Sequence, residues 1–346
     1  MLRKLYEKIK NFDIKPQAPK GLDVLDNDAR MLARRSKFSE AVAIYRKIVL
    51  LAPENTNALD KYIEHAFYDD VSETLKFTEI LLEHYPDDIR LLALAGYASR
   101  TSYKALQYHS RIVRISPNSI SANYFVKVLS DTPPKHPPLP YVKDLFNNYA
   151  EHFDHHLEKM LLYSAPEIMA KLLRKQHSRK IPFENALDAC CGTGLFGKQL
   201  RIHFKVKHLT GIDLAENMIK QTHKKHIYNT LETCEVHEYL QNSKKHFNII
   251  SMIDSVNYIG DIANLVNLVH SNLTTNGLFC FTTEVSSKEK IIVDKTGRFS
   301  HSKKYIQELA KDKFTIMKLK KVSGRIERIN SQYYYFVIFA KKSVSL

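Results

Sequence analysis

The chain has 346 residues, more than one ordinary domain needs and enough for two. A hydrophobic share of 44% and a charged share of 26% belong to a chain that packs a core, which excludes a disordered or fibrous protein. No apolar run approaches the roughly 18 residues that a membrane-crossing helix needs, so a membrane protein of that kind is excluded as well, and the formal net charge is +15. The basic excess is uneven. Residues 1–140 carry 21 Lys and Arg against 17 Asp and Glu, and residues 141–346 carry 31 against 20. The lysines are scattered, with no Arg-rich block or aromatic-basic ladder, so a nucleic-acid partner is not expected. Cys190, Cys191, Cys234 and Cys280 form no metal-type pair and read as small buried thiols in a reducing cytoplasm.

In chain order, residues 1–20 alternate charged and apolar residues without a continuous apolar core. They read as a short amphipathic helix ending before Pro16 rather than a secretory signal. Residues 21–130 show a repeat. Pro53, Pro86 and Pro117 are 33 and 31 residues apart, and each ends a helical pattern that opens on a small residue: Ala41, Thr74 or Ala105. Further helical patterns lie between them, so the segment reads as an all-helical array with the period of tetratricopeptide repeats. Such an array presents a concave surface suited to a protein or peptide partner. Residues 131–140, DTPPKHPPLP, read as a proline-rich linker, extended and not helical.

From residue 141 to 346 the pattern changes. Two amphipathic helices, broken near Ser164-Ala165-Pro166, precede an alternation of strand-like and helix-like segments. The strand-like segments are NALDAC, HLTGIDL, ETCEV, FNIISMID and GLFCFTTE, and the chain closes on the pair FTIMKLKKV and YYYFVIFAKK. Alternation of this kind means a mostly parallel sheet flanked by helices, here seven-stranded with an antiparallel hairpin at the end.

The segment most informative about chemistry is Leu187-Asp188-Ala189-Cys190-Cys191-Gly192-Thr193-Gly194-Leu195-Phe196-Gly197. It lies where the first strand ends and a helix begins. Gly192 and Gly194 remove side chains so that backbone can approach a ligand, and the helix start offers unpaired N–H groups. Asp213 follows 21 residues after Gly192, where a carboxylate can accept from both ribose hydroxyls. Read literally, Gly192-x-Gly194-x-x-Gly197 is a dinucleotide fingerprint, so a nicotinamide-dependent oxidoreductase is one alternative. Asp188 weighs against it, because a carboxylate ahead of the glycines suits a cationic amino group and repels a pyrophosphate. Glu235 and Asp254 extend the same acidic series.

LDACCGTGLFG and LTGIDLAENMI resemble the first two motifs of class I S-adenosylmethionine-dependent methyltransferases. Residues 141–340 further resemble predicted methyltransferases with N-terminal tetratricopeptide repeats, through YVKDLFNNYAEHFDHHLEKMLLYSAPE, CEVHEYL, FNIISMIDSVNYIGD, NGLFCFTTE and KTGRFSHSKKYIQELA. The resemblance implies a Rossmann-like domain that uses S-adenosyl-L-methionine to methylate a protein or a small metabolite. It places Asp188, Cys190, Gly192 and Gly194 at the methionine part of the cofactor and Asp213 at the ribose. Leu214, Met218, Glu235 and Val236 fall on the adenine side, and Asp254 on a strand end beside the cofactor. Tyr149 and Phe153 fall in a helix that folds over it. Cys190 stands where the family has its first glycine, and Glu235 where it usually has Asp. No catalytic base is assigned. His152, His155, His156, Tyr163, Tyr258, Glu284 and His301 are candidates by location, each with a packing or solvated reading beside it. A repeat-based binding module with a vestigial cofactor fold is the second alternative.

Overall fold

A computed structural model describes residues 21–35, 37–52, 55–66, 70–99, 101–287, 290–327 and 330–343. The helix expected over residues 1–20, and Pro53, lie outside the described residues. The chain divides into two compact units, residues 1–129 and 130–346.

The described part of the first unit is all helical: α1 (Leu22–Arg34), α2 (Phe38–Leu51), α3 (Thr56–His65), α4 (Val71–His84), α5 (Ile89–Ala98), α6 (Ser102–Ile115) and α7 (Ile120–Val128). The starts are written in the sequence. Asn55, Asp70, Asp88, Thr101 and Ser119 each accept a backbone N–H from the following turn, the usual N-cap arrangement. Pro86 and Pro117 stand just past the ends of α4 and α6, as their spacing implied. Ala41, Thr74 and Ala105 are buried, which lets neighbouring helices approach.

His109 is a buried titratable group of this unit. His109 of α6 stacks on Phe125 of α7, with ring centroids 4.8 Å apart. A side chain at Gly96 of α5 would meet its Nε2 at 2.7 Å, so only glycine leaves room for the ring. Burial pushes the imidazole down to about 4. The folded helices therefore keep His109 neutral at pH values where the unfolded chain protonates it. Stability of this unit is intact above pH ~6.5 and declines as pH falls from there towards 4, by up to about 3 kcal/mol. Helical circular dichroism of the full chain should melt earlier at pH 5 than at pH 7, and His109→Leu should flatten that difference.

The second unit is a nine-stranded sheet with helices around it. The five parallel strands are β1 (Phe183–Ala189), β2 (Val206–Asp213), β3 (Thr230–Thr233), β4 (Phe247–Met252) and β5 (Leu273–Val285), in the order β3-β2-β1-β4-β5. Each is separated from the next by a helix: α11 (Leu195–His203), α12 (Glu216–His223), α13 (Val236–Asn242) and α14 (Ala263–Asn272). Beyond β5 the closing hairpin β8 (Phe314–Glu327) and β9 (Asn330–Lys341) adds antiparallel, β9 against β5 and β8 at the edge. This matches the expected parallel sheet with an antiparallel hairpin.

The strand count differs from the seven expected. A short hairpin, β6 (Ile291–Val293) and β7 (Phe299–His301), pairs with the C-terminal tip of β5. Its strands are three residues each, too short to give a period-two signal. The segment before the sheet forms α8 (Leu139–Tyr149), α9 (Phe153–His155, continuing as a π-helical turn His156–Met160) and α10 (Ala165–Leu173). Helix α15 (Lys303–Ala310) precedes β8.

The proline-rich stretch is not a free spacer. It belongs to the second unit, and its last residues open α8, with Pro140 in the first turn, where a missing N–H costs nothing. Its middle is docked. His136 Nδ1 lies 2.9 Å from the Ile259 carbonyl, and the Asp261 N–H donates to the Lys135 carbonyl at 3.2 Å. Gly260, with φ +90°, makes the passage possible, because a Cβ there would lie 2.1 Å from the Lys135 carbonyl oxygen. Among the described residues, no helix is long and apolar enough to cross a membrane.

Candidate functional site

In open α/β sheets the binding crevice lies outside the C-terminal ends of the strands, where neighbouring connections leave on opposite faces. Here that place is above β1, between β2 and β4. The chain leaves β1 through a tight turn in which Cys190, Gly192 and Gly194 have φ of +55°, +55° and +87°. Gly194 caps α11, so the first N–H groups of that helix open towards the crevice. A Cβ on Gly192 would find nothing nearer than a Phe153 ring carbon at 3.9 Å.

The carboxylates around this turn do two kinds of work. Asp213, at the end of β2, accepts the Gly192 N–H at 2.8 Å through Oδ2 and the Ala215 N–H at 2.9 Å through Oδ1. It therefore ties the turn to the second strand, and each oxygen keeps a further lone pair for a ligand hydroxyl. Asp188 lies deeper, 2% exposed. It accepts from the Tyr228 hydroxyl and the Ser251 hydroxyl, both at 2.7 Å. Burial raises both carboxyls to about 6, against hydroxyl donors at Asp188 and backbone N–H donors at Asp213. Two raised acids side by side favour a cationic ligand, which lowers the cost of ionising them.

Cys190 replaces a glycine at a position with left-handed backbone. A straight small side chain tolerates that region at a cost near 1 kcal/mol, whereas a β-branched one is a steric outlier. Cys190→Gly should therefore stay within about 1 kcal/mol of the parent, and Cys190→Val should lose about 2 kcal/mol or more, as read from urea denaturation midpoints.

The structure brings Leu214, Met218 and Phe153 to the same place. Leu214 follows Asp213. Met218 of α12 is fully buried in a small apolar cluster with Ala150, Ala215, Phe146 and Phe153. Phe153 thus lies over both the glycine turn and the start of α12. Tyr149 stacks edge-on against Phe153 and bonds His156 within the covering segment. Asp154, not singled out in the sequence, fastens this segment by bonds to Thr193 of the turn and to Lys225. Lys225 in turn donates to the Thr193 carbonyl at 2.7 Å.

Glu235 is not a strand end. Strand β3 stops at Thr233, and Glu235 caps α13, accepting the His237 and Glu238 N–H groups at 2.8 and 3.0 Å and pairing with the His237 ring. A capping bond from the side chain stops the strand short and starts a helix that the sequence pattern did not reveal. Val236 is buried in the main core beneath it.

Asp254, with φ +58°, lies in an ionic cluster at the ends of β4 and β5. It pairs with Arg325 at 2.9 Å, and Arg325 and Arg298 both reach Glu284. Asn257 braces the cluster, donating to Asp254 at 2.7 Å and accepting the Glu284 N–H at 3.0 Å. Burial raises the Tyr163 hydroxyl well above its usual range, with Asp254 and Asp188 adding to the shift. Of the other candidates, Tyr258 packs edge-on against Phe146 at 4.9 Å. His301 is fully buried. Its Nε2–H donates to the Gly260 carbonyl at 2.7 Å, and its Nδ1 accepts from Thr283. The arginines were missed because each lies in an irregular or exposed-looking stretch far along the chain.

Two curated relatives are similar over part of the chain. A malonyl-[acyl-carrier protein] O-methyltransferase of Bacillus anthracis is 31% identical over 98 residues, 28% of this chain and 36% of that enzyme. The Bacillus cereus enzyme of the same name is 27% identical over 142 residues, 40% of this chain and 50% of that enzyme. The chain thus spans half or less of the length of these relatives. Among solved structures, the 1,6-didemethyltoxoflavin-N1-methyltransferase of Burkholderia thailandensis is 16% identical with a TM-score of 0.45, covering 61% of this chain and 92% of that one. A family model described as a methyltransferase domain matches residues 153–311, within the second unit.

Proposed function

We propose that the chain transfers a methyl group from S-adenosyl-L-methionine, and that its helical unit, read as tetratricopeptide-like, recruits a protein or peptide partner. The observation that carries the first part is the glycine turn held by Asp213. Left-handed backbone at three positions, open space over Gly192, and two buried carboxylates with raised pKa together suit a cationic nucleoside. When bound, S-adenosyl-L-methionine supplies a methyl group on a good leaving group, so positioning and water exclusion are the protein's main tasks. The chain's own residues divide those tasks. Asp213 and the turn orient the nucleoside, Asp188 offers a buried carboxylate held by Tyr228 and Ser251, and Phe153 with Phe146 covers the turn. Support for the partner reading is the periodic array itself and its exposed aromatics, Tyr97 at 51% and Tyr103 at 71% exposure.

Calorimetric titration with S-adenosyl-L-methionine and S-adenosylhomocysteine tests the reading. Saturable binding of both is expected; no heat for either, with a fluorescence response to NADH instead, would overturn it.

A further inference from the structure

The basic surplus of the second unit gathers at one end of its sheet. Strands β1, β5 and β8 begin there, and β9, α10 and α11 end there, so it is the end opposite the crevice. Residues 168–183 hold five Lys and Arg and no Asp or Glu, and residues 313–322 hold four and none. The loop between α10 and β1 supplies Arg174, Lys175, Arg179 and Lys180, and the end of β9 supplies Lys341 and Lys342. Among the described residues none of these six pairs with a carboxylate, and Glu184 of β1 is already taken by Lys207 at 2.9 Å. A hollow of about 560 Å³ joins the pieces, lined by His177 of the loop, Thr315 and Met317 of β8, and Lys341 and Lys342. His177 also stacks on Phe183 and lies 6.3 Å from the Phe204 ring, which carries the surface on to the end of α11. There the Arg179 guanidinium donates to the Ile202 carbonyl at 3.2 Å. Burial, and then Arg174, Arg179 and Lys171, push the nearby His203 imidazole down. Two ordinary causes explain only part of this gathering. A helix dipole favours cations in the last turn, which suits Lys171. Lysines on an edge strand discourage pairing with another sheet, which suits Lys318 and Lys320. Neither reaches Arg179 and Lys180 in the loop, nor Lys341 and Lys342 at the end of a strand inside the sheet.

We propose that this end of the second unit docks on an anionic lipid surface. The cations are interleaved with exposed aliphatic side chains: Ile181, next to Lys180, is 59% exposed, Ile202 50% and Met317 38%. Such side chains gain free energy by entering the boundary between headgroups and acyl chains, while the cations stay with the headgroups. The phosphates of a nucleic acid offer aliphatic side chains nothing, and its bases call for flat rings to stack on. Among the described residues of this unit, the exposed Tyr is Tyr333, at the start of β9 and so at the opposite end of the sheet. A surface cleared of carboxylates also meets no repulsion from a negative headgroup plane. Side chains reach only the headgroup layer in such a contact, and no segment has to cross it. Docked in this way, the crevice above β1 faces away from the lipid and stays open to water.

The test sediments the full chain with vesicles of phosphatidylcholine alone, and with vesicles in which about a third of the lipid is phosphatidylglycerol. Each basic residue at an anionic surface contributes about fivefold in partitioning, so the mixed vesicles should be bound at least about a hundredfold more tightly. That binding should weaken as salt is raised. Lys180→Glu combined with Lys342→Glu should lower it at least about tenfold. Ile181→Ser combined with Met317→Ser, which leaves the charge unchanged, should lower it about fivefold or more. Both variants should melt like the parent by circular dichroism, which separates lost docking from lost folding. Equal binding to the two kinds of vesicle, or serine substitutions that change nothing, would overturn the proposal. A homopolymer RNA that binds the parent and the serine variant alike, with no vesicle binding by either, would make nucleic acid the partner instead.

Discussion

Asp213→Ala is expected to lower S-adenosyl-L-methionine affinity by about a hundredfold or more. The side chain makes two bonds to backbone N–H groups, at 2.8 and 2.9 Å, and one of those holds Gly192 in the turn. Bonds to a charged acceptor contribute about 1.5–3 kcal/mol each, so losing both the turn anchor and the ribose acceptor exceeds the ~2.7 kcal/mol that a hundredfold requires. Asp213→Asn should fall between, since it keeps one oxygen acceptor but sets an NH2 against a backbone donor. The same residue predicts a pH dependence. Burial raises its carboxyl to about 6 in the free protein, and a cationic ligand favours the ionised form. Affinity should therefore hold above pH 6 and weaken towards about tenfold per unit as pH falls through 6. Calorimetry between pH 5 and 8 checks this; a flat profile would separate Asp213 from the ligand.

Gly197→Ala is expected to destabilise the second unit by about 3 kcal/mol or more. A Cβ at Gly197 would lie 2.1 Å from the Tyr228 hydroxyl oxygen and 2.4 Å from its ring carbon. The ring has nowhere to retreat, because Gly211 and Gly194 border it too, at 2.8 and 3.1 Å by the same measure. Displacing it also breaks the bond to Asp188 and leaves a buried carboxyl with one hydroxyl partner fewer. Tyr228→Phe isolates that last contribution and should cost about 1–3 kcal/mol. Both changes are read from the urea denaturation of the full chain. An alanine variant as stable as the parent would mean that Tyr228 does not occupy this space.

These two residues also mark how far the sequence could be read. The turn, Asp213 and the strand-helix alternation were legible because each rests on local rules: glycine where φ is positive, apolar runs where strands are buried on both faces, caps where helices begin. Gly197 was legible as a glycine but not for its reason. It fits a phosphate-binding fingerprint by spacing, whereas in the fold it makes room for a tyrosine more than thirty residues away. Glu235 was read as a strand end because its neighbours are β-favouring, and only its capping bonds show that a helix starts there. Arg298 and Arg325 gave no signal at all. Their burial depends on two hairpins meeting the ends of β4 and β5, which is a property of the tertiary fold and has no local pattern.

One detail of the covering segment limits how the crevice can admit a ligand. The Ser164 N–H donates to the Gly324 carbonyl at 2.8 Å, and the Ile326 N–H donates to the Leu161 carbonyl at 2.7 Å. Residues 161–164 thereby stitch onto the rim of β8, a sheet margin that would otherwise offer unpaired groups to another chain. With that end sewn down, any swing of Phe153 away from Gly192 has to pivot upstream of Leu161. The π-helical turn at His156–Met160, already wound off the regular ladder, is the natural elbow. Opening of the covering segment would require releasing Asp154 from Thr193 and Lys225, a small latch on one side of a door whose jamb is the sheet itself.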